Sequence, residues 1–169
     1  MSVPASPATA VSGPLPDTLL NAYKSNVDWL MNATNIRPYC NAYNNAGLTL
    51  TAATLTVITL DSETEDNTGM HTGTNGFFTV ATAGVYQVIG SIEFPSTASG
   101  SDATSIYLNS SLMSKQNCAA IAATHGVTTS CLLRCAVSDT ITLKGASTSG
   151  GALSTGAGNT YLQAIWIME

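Results

Sequence analysis

The stretch GFFTVATAGVYQVIGSIEF, residues 76–94, decides how this chain folds. In Phe78-Thr79-Val80 apolar and polar residues alternate, as in a strand with one buried face. Ala83-Gly84 supplies a tight corner. A second strand then leaves it with Tyr86, Val88, Gly90, Ile92 and Phe94 on one face and Val85, Gln87, Ile89, Ser91 and Glu93 on the other. A strand with apolar residues on both faces is covered on both. One cover is an opposing sheet and the other a neighbouring subunit, so the stretch predicts the core hairpin of a jelly-roll sandwich that self-associates.

The surrounding composition agrees. The chain has 169 residues, 44% hydrophobic and only 9% charged, which is material for one domain with a sizeable core and a short appendage. Short runs rich in Thr, Val, Ile and Tyr are separated by Gly, Asn and Ser clusters, the pattern of an all-β sandwich rather than of βα units. No internal repeat stands out, and no apolar run approaches the roughly 18 residues that a membrane helix needs.

Ahead of the sandwich, residues 1–15 place no basic residue before an apolar stretch, so they do not read as a secretory signal. Pro4, Pro7 and Pro14 make them an extended arm or a disordered terminus. Asp17 suits a helix N-cap, and Leu20, Tyr23, Val27 and Leu30 follow at helical spacing as an apolar stripe. A helix of about four or five turns is marginal alone, so the stripe docks on its own sandwich, on sister helices or on a larger scaffold. Pro38 disfavours helical geometry at Arg37. The expected division is an attachment arm and helix over residues 1–35 and a head over residues 36–169.

Charge narrows the partners. With a formal net charge of -5 and only Lys24, Arg37, Lys115, Arg134 and Lys144 as fixed cations, no basic stripe is present to follow nucleic-acid phosphates or to hold an anionic membrane. The densest charge, LDSETEDN at residues 60–67, reads as a solvated acidic loop between strands. Asp61, Glu63 and Asp66 are its candidate oxygen ligands for a hard cation, although their spacing is not that of an EF-hand loop. His71 and His125 stand in no nucleophile or zinc motif, and no phosphate-cradling loop occurs, so the chain reads as a non-enzyme that needs no cofactor. A carboxylate pair of Glu93 and Asp139 is the one glycosidase-like combination to check. Cys131 and Cys135 share a strand face about 13 Å apart, too far to bridge each other, and either is left to pair with Cys40 or Cys118 or to stay a free thiol.

The hairpin resembles the globular heads of the first complement component and of tumour necrosis factor, in which an aromatic strand, an Ala-Gly corner and a Val-Tyr strand recur. The later chain keeps that order: SIYLN at residues 105–109, an alternating strand from Val127 to Val137, Ser138-Asp139 where the family has Gly-Asp, and the aromatic closing strand YLQAIWI at residues 161–167. The resemblance implies a homotrimer, with Val85, Tyr86, Ile89, Tyr161, Ile165 and Trp166 at its interface. Leu19 to Ala22, Trp29 and Arg37-Pro38 are in turn similar to small virion proteins of tailed bacteriophages, in which an N-terminal segment attaches to the particle and a β-head projects. That resemblance implies attachment through Leu20, Tyr23, Val27 and Leu30 to the major capsid protein or another virion protein. The expected role is capsid decoration; a tail-fibre or baseplate head binding host glycans and a cellular complement-like module are the alternatives.

Overall fold

The structure, a computed structural model, describes residues 37–97 and 99–169, together with Thr18, Asn21 and Lys24, which are helical and exposed. The stripe of Leu20, Tyr23, Val27 and Leu30 lies outside the described residues. Chain contacts group Arg37–Glu169 into one unit. Among the described residues no helix is long and apolar enough to cross a membrane.

Two-residue periodicity builds the unit. It contains β1 (Tyr39–Tyr43), β2 (Thr49–Leu50), β3 (Thr56–Val57), β4 (Ser62–Asp66), β5 (Phe77–Thr79) and β6 (Gly84–Phe94). After these come β7 (Ser101–Leu108), β8 (Ser111–Ala119), β9 (His125–Cys135), β10 (Thr140–Ser147), β11 (Gly151–Ala152) and β12 (Tyr161–Met168). The first sheet runs β4-β1-β12-β6-β9; the second runs β3-β10-β7-β8 with β5 also paired to β10; β11 and β2 form a small third ladder. All pairings are antiparallel. This is an all-β jelly-roll sandwich.

The residues that alternation assigns inward meet between the sheets. Tyr86, Val88, Ile92 and Phe94 of β6, Leu162 and Ala164 of β12, and Leu133 and Cys135 of β9 face Ile106 of β7 and Ile141 and Leu143 of β10 in one buried cluster. Gly90 lets the layers close: a Cβ there would stand 2.6 Å from Leu143 Cδ1. Gly84, at φ 148°, opens β6 rather than forming the tip of a turn, and the Trp166 indole occupies the space a side chain would need. The corner itself is the bend at Ala81-Thr82.

The acidic stretch is not a loop. Ser62–Asp66 is the edge strand of the first sheet, paired to β1. The segment from Ala146 to Asn159 carries the end of β10, all of β11 and the buried Leu153.

Candidate self-association face

The outer face of the first sheet is built by the odd-numbered residues of β1, β6 and β12 and the even-numbered ones of β9. Register aligns them in rungs. Tyr39, Ile165, Gln87 and Leu132 form one; Asn41, Gln163, Ile89 and Ser130 the next; Tyr43, Tyr161, Ser91 and Thr128 the third. None of these twelve side chains is ionisable to a charge near neutrality, and Glu65, Glu93 and Arg134 stand only at the rim. Leu132 is 65% exposed. Gln163 Nε2 donates to Tyr39 Oη at 2.7 Å, which fixes both side chains on the face. The Asn41 Oδ1 atom beside them is buried without a donor.

Four of the six residues expected at an interface, Val85, Ile89, Tyr161 and Ile165, come together here. Tyr86 does not: strand parity turns it into the sandwich, fully buried, where its hydroxyl donates to the Thr82 carbonyl at 2.7 Å. Burial first, and the neighbouring Cys135 second, push that phenol up to about 12. Trp166 also turns inward, packing on the core and donating from Nε1 to the Ala83 carbonyl. The resemblance put both aromatics at the interface, whereas alternation puts Tyr86 on the face opposite Val85 and Ile89, and the packing of the second sheet makes that face the inner one. The sequence reading omitted Tyr39, Tyr43 and Leu132; the alternation of β9 around Cys131 and Cys135 was the signal that could have found Leu132.

The three metal candidates serve the local fold separately. Asp61 accepts from the backbone N–H groups of Asn45 and Ala46, both at 2.6 Å. Glu63 Oε1 lies 2.7 Å from His71 Nδ1, while Asp66 accepts from the N–H groups of Thr68 and His71. Among the described residues no three His, Cys, Asp or Glu side chains converge as ligands.

Nor do the catalytic candidates meet. Glu93 and Asp139 stand at opposite ends of β6, about 30 Å apart at strand rise. His71 is buried, its Nε2 3.0 Å from the carbonyls of Leu60 and Asn75, so both of its nitrogens are committed. His125 Nδ1 faces the Ala123 carbonyl, and its Nε2 stands 3.0 Å from Asp102 Oδ2, at ion-pair distance but without hydrogen-bond alignment. The four cysteines are unbridged. Burial raises the Cys40, Cys131 and Cys135 thiols, Cys135 to about 11 with Asp139 and Cys131 adding to it.

No family model and no curated protein matches the chain. Solved structures do. The globular domain of zebrafish complement 1qA protein superposes with a TM-score of 0.60 at 12% identity, covering 79% of this chain and 99% of that one. Murine APRIL at pH 5.0 also gives 0.60 at 12% identity, with 78% and 99% covered. Its pH 8.0 structure gives 0.58 at 13% identity over the same shares. At this identity the likeness defines the fold: residues 37–169 are a complement and tumour necrosis factor-like jelly roll.

Proposed function

We propose that this chain is a non-enzymatic structural protein that assembles as a homotrimer through the outer face of its first sheet and works on the virion of a tailed bacteriophage. The observation that carries the assembly is the uncharged, partly apolar face that β1, β12, β6 and β9 turn away from the sandwich core. On a chain of net charge -5, two copies repel generally, and a neutral face is where they approach at least cost.

The particle reading rests on the N-terminal resemblance, since the fold serves a complement-like cellular module equally well. In this reading residues 1–35 anchor on the major capsid protein or another virion protein and the trimeric head decorates the outer surface. One trimer then ties several capsid subunits together, multiplying weak contacts by effective concentration.

The test is the copy number of the chain in purified particles, by quantitative mass spectrometry against the major capsid protein. Hundreds of copies in fixed proportion to it support decoration. A few tens transfer the protein to the tail, and absence from particles overturns the virion reading. Removing residues 1–34 is expected to leave the head trimeric while abolishing attachment; a monomeric product would place the self-contacts in the removed segment.

A further inference from the structure

Among the described residues Asp102 is the one buried carboxylate, 1% exposed, and neither of its oxygens accepts a hydrogen bond there. Its neighbours are engaged elsewhere. Cys118, opposite it in β8, donates to the Ala119 carbonyl at 3.2 Å, and the Thr104 hydroxyl donates to the Val127 carbonyl at 2.8 Å. Ser147, opposite it in β10, accepts from the Gly150 N–H. Both ion pairs among the described residues use histidine, so no lysine or arginine answers Asp102 there. What faces it is His125 of the other sheet, whose Nε2 stands 3.0 Å from Asp102 Oδ2. The second ring nitrogen, Nδ1, lies 3.1 Å from the carbonyl of Ala123, in the connection from β8 to β9, and Phe94 stacks on the ring.

A neutral imidazole has one donor nitrogen and one acceptor nitrogen. Here both nitrogens face oxygen. Beside an ionised Asp102, a neutral ring sets a lone pair either against the carboxylate or against the Ala123 carbonyl, and it leaves a buried charge without a counter-charge. One further proton removes the conflict, whether it sits on the ring, which then donates both ways, or on the carboxyl, which then donates to Nε2. We propose that the Asp102–His125 couple is a proton-held clasp: folding locks one proton into it, and loss of that proton as pH rises loosens the connection from β8 to β9. The two groups share the proton, so what is fixed is its presence in the couple rather than its resting atom. Few other groups bear on it. Cys118 of β8 is the one titratable neighbour from the packed strands, while Glu93 of β6 and the rung of Lys115, Ser105 and Lys144 lie by parity on the opposite faces of their sheets. In an unfolded chain an imidazole gives up its second proton near about pH 6.5, with aspartate already ionised. Above that pH the folded head holds one proton more than the unfolded chain, so the contribution of the clasp is complete in acid and declines as pH rises, by up to about tenfold in the folding constant per pH unit. Every group belongs to one chain, and the inference stands or falls independently of self-association.

The experiment is urea unfolding of the full chain, parent and Asp102→Asn, at several pH values from about 6.5 to 8, below the range in which ordinary thiols ionise. An amide in place of the carboxylate donates to a neutral Nε2 while Nδ1–H donates to Ala123, so the variant needs no extra proton. The ratio of folding constants, parent over variant, is expected to fall about tenfold per pH unit, the linkage of one proton; His71 and every other shared group drop out of it. A ratio that does not change with pH overturns the clasp. Nuclear magnetic resonance of the parent at about pH 7.5 reads the same proton without any variant, as a doubly protonated His125 ring or a protonated Asp102 carboxyl. A neutral ring beside an ionised carboxylate overturns the proposal. The amides of Thr97 and Ala120, which donate to the carbonyls of Ile121 and Gly100, should lose exchange protection first as pH rises, after correction for intrinsic rates. Protection lost uniformly over the head would overturn the local loosening.

Discussion

Ser138 holds φ 74°, a left-handed conformation in which a side chain crowds the following carbonyl and which glycine adopts freely. It is the position at which Ser stands where the complement-like heads carry Gly. Its exposed side chain gains nothing visible from that geometry. Ser138→Gly is expected to stabilise the head by roughly 0.5 kcal/mol, relief of the strain outweighing the added chain entropy; a lower urea midpoint for the variant would contradict this. The next residue locks the same corner. Asp139 accepts from Asn109 Nδ2 at 3.0 Å and from the Ala136 N–H at 2.7 Å, and these bonds hold its carboxyl below the usual carboxylate range. A carboxyl lowered by folding stabilises above its unfolded value of 3.8 and loses that contribution as pH falls through the folded one. The stability gap between the parent and Asp139→Asn should therefore be open at pH 6 and close on acidification below that window, as urea melts at several pH values would record. A gap that persisted undiminished in acid would mean that the charge is not what the corner uses.

Between elements, one tie across the sandwich is polar. Asp102 is the second residue of β7 in the second sheet, His125 opens β9 in the first, and the two form a buried pair with the imidazole stacked on Phe94. Removing one member strands the other. His125→Leu should cost about 3–5 kcal/mol, whereas Asp102→Leu combined with His125→Leu should return to within about 1 kcal/mol of the parent, because paired apolar replacement deletes both desolvation penalties. Urea unfolding of the four proteins tests it: additive losses would show that the pair is not coupled. This tie could not be read beforehand, since Asp102 and His125 lie far apart in sequence and only the packing of one sheet on the other joins them. Short-range features were more legible. Strict alternation in residues 84–94 gave β6 with both of its faces, and the closing strand was visible as YLQAIWI. The acidic segment misled because an exposed edge strand and a loop favour the same residues: the edge gathers charge against pairing with other chains. Tyr86 and Trp166 misled because large aromatics mark a core and an interface alike: alternation set Tyr86 on the face opposite Val85 and Ile89 but did not say which of the two faces meets the core.

At the scale of the whole molecule, the two outer sheet faces divide the chemistry. The first sheet turns an uncharged row of Tyr39, Ile165, Gln87 and Leu132 outward, and the second carries the lysines. If the neutral face is the contact between copies, the lysine-bearing face stays outward and is presented once per subunit. A charge placed on the neutral face would then have to be desolvated in every copy of the contact, whereas in a lone sandwich it would meet water. Ile89→Asp and Leu132→Asp are therefore expected to shift sedimentation of the micromolar protein from the trimer to the monomer while the far-ultraviolet dichroism of the sandwich persists. The parent's melting temperature should rise with protein concentration and the variants' should not, because association stabilises only a chain that assembles. Arg134→Asp at the rim should weaken the assembly far less. Trimers that survive both substitutions would exclude this face as the contact.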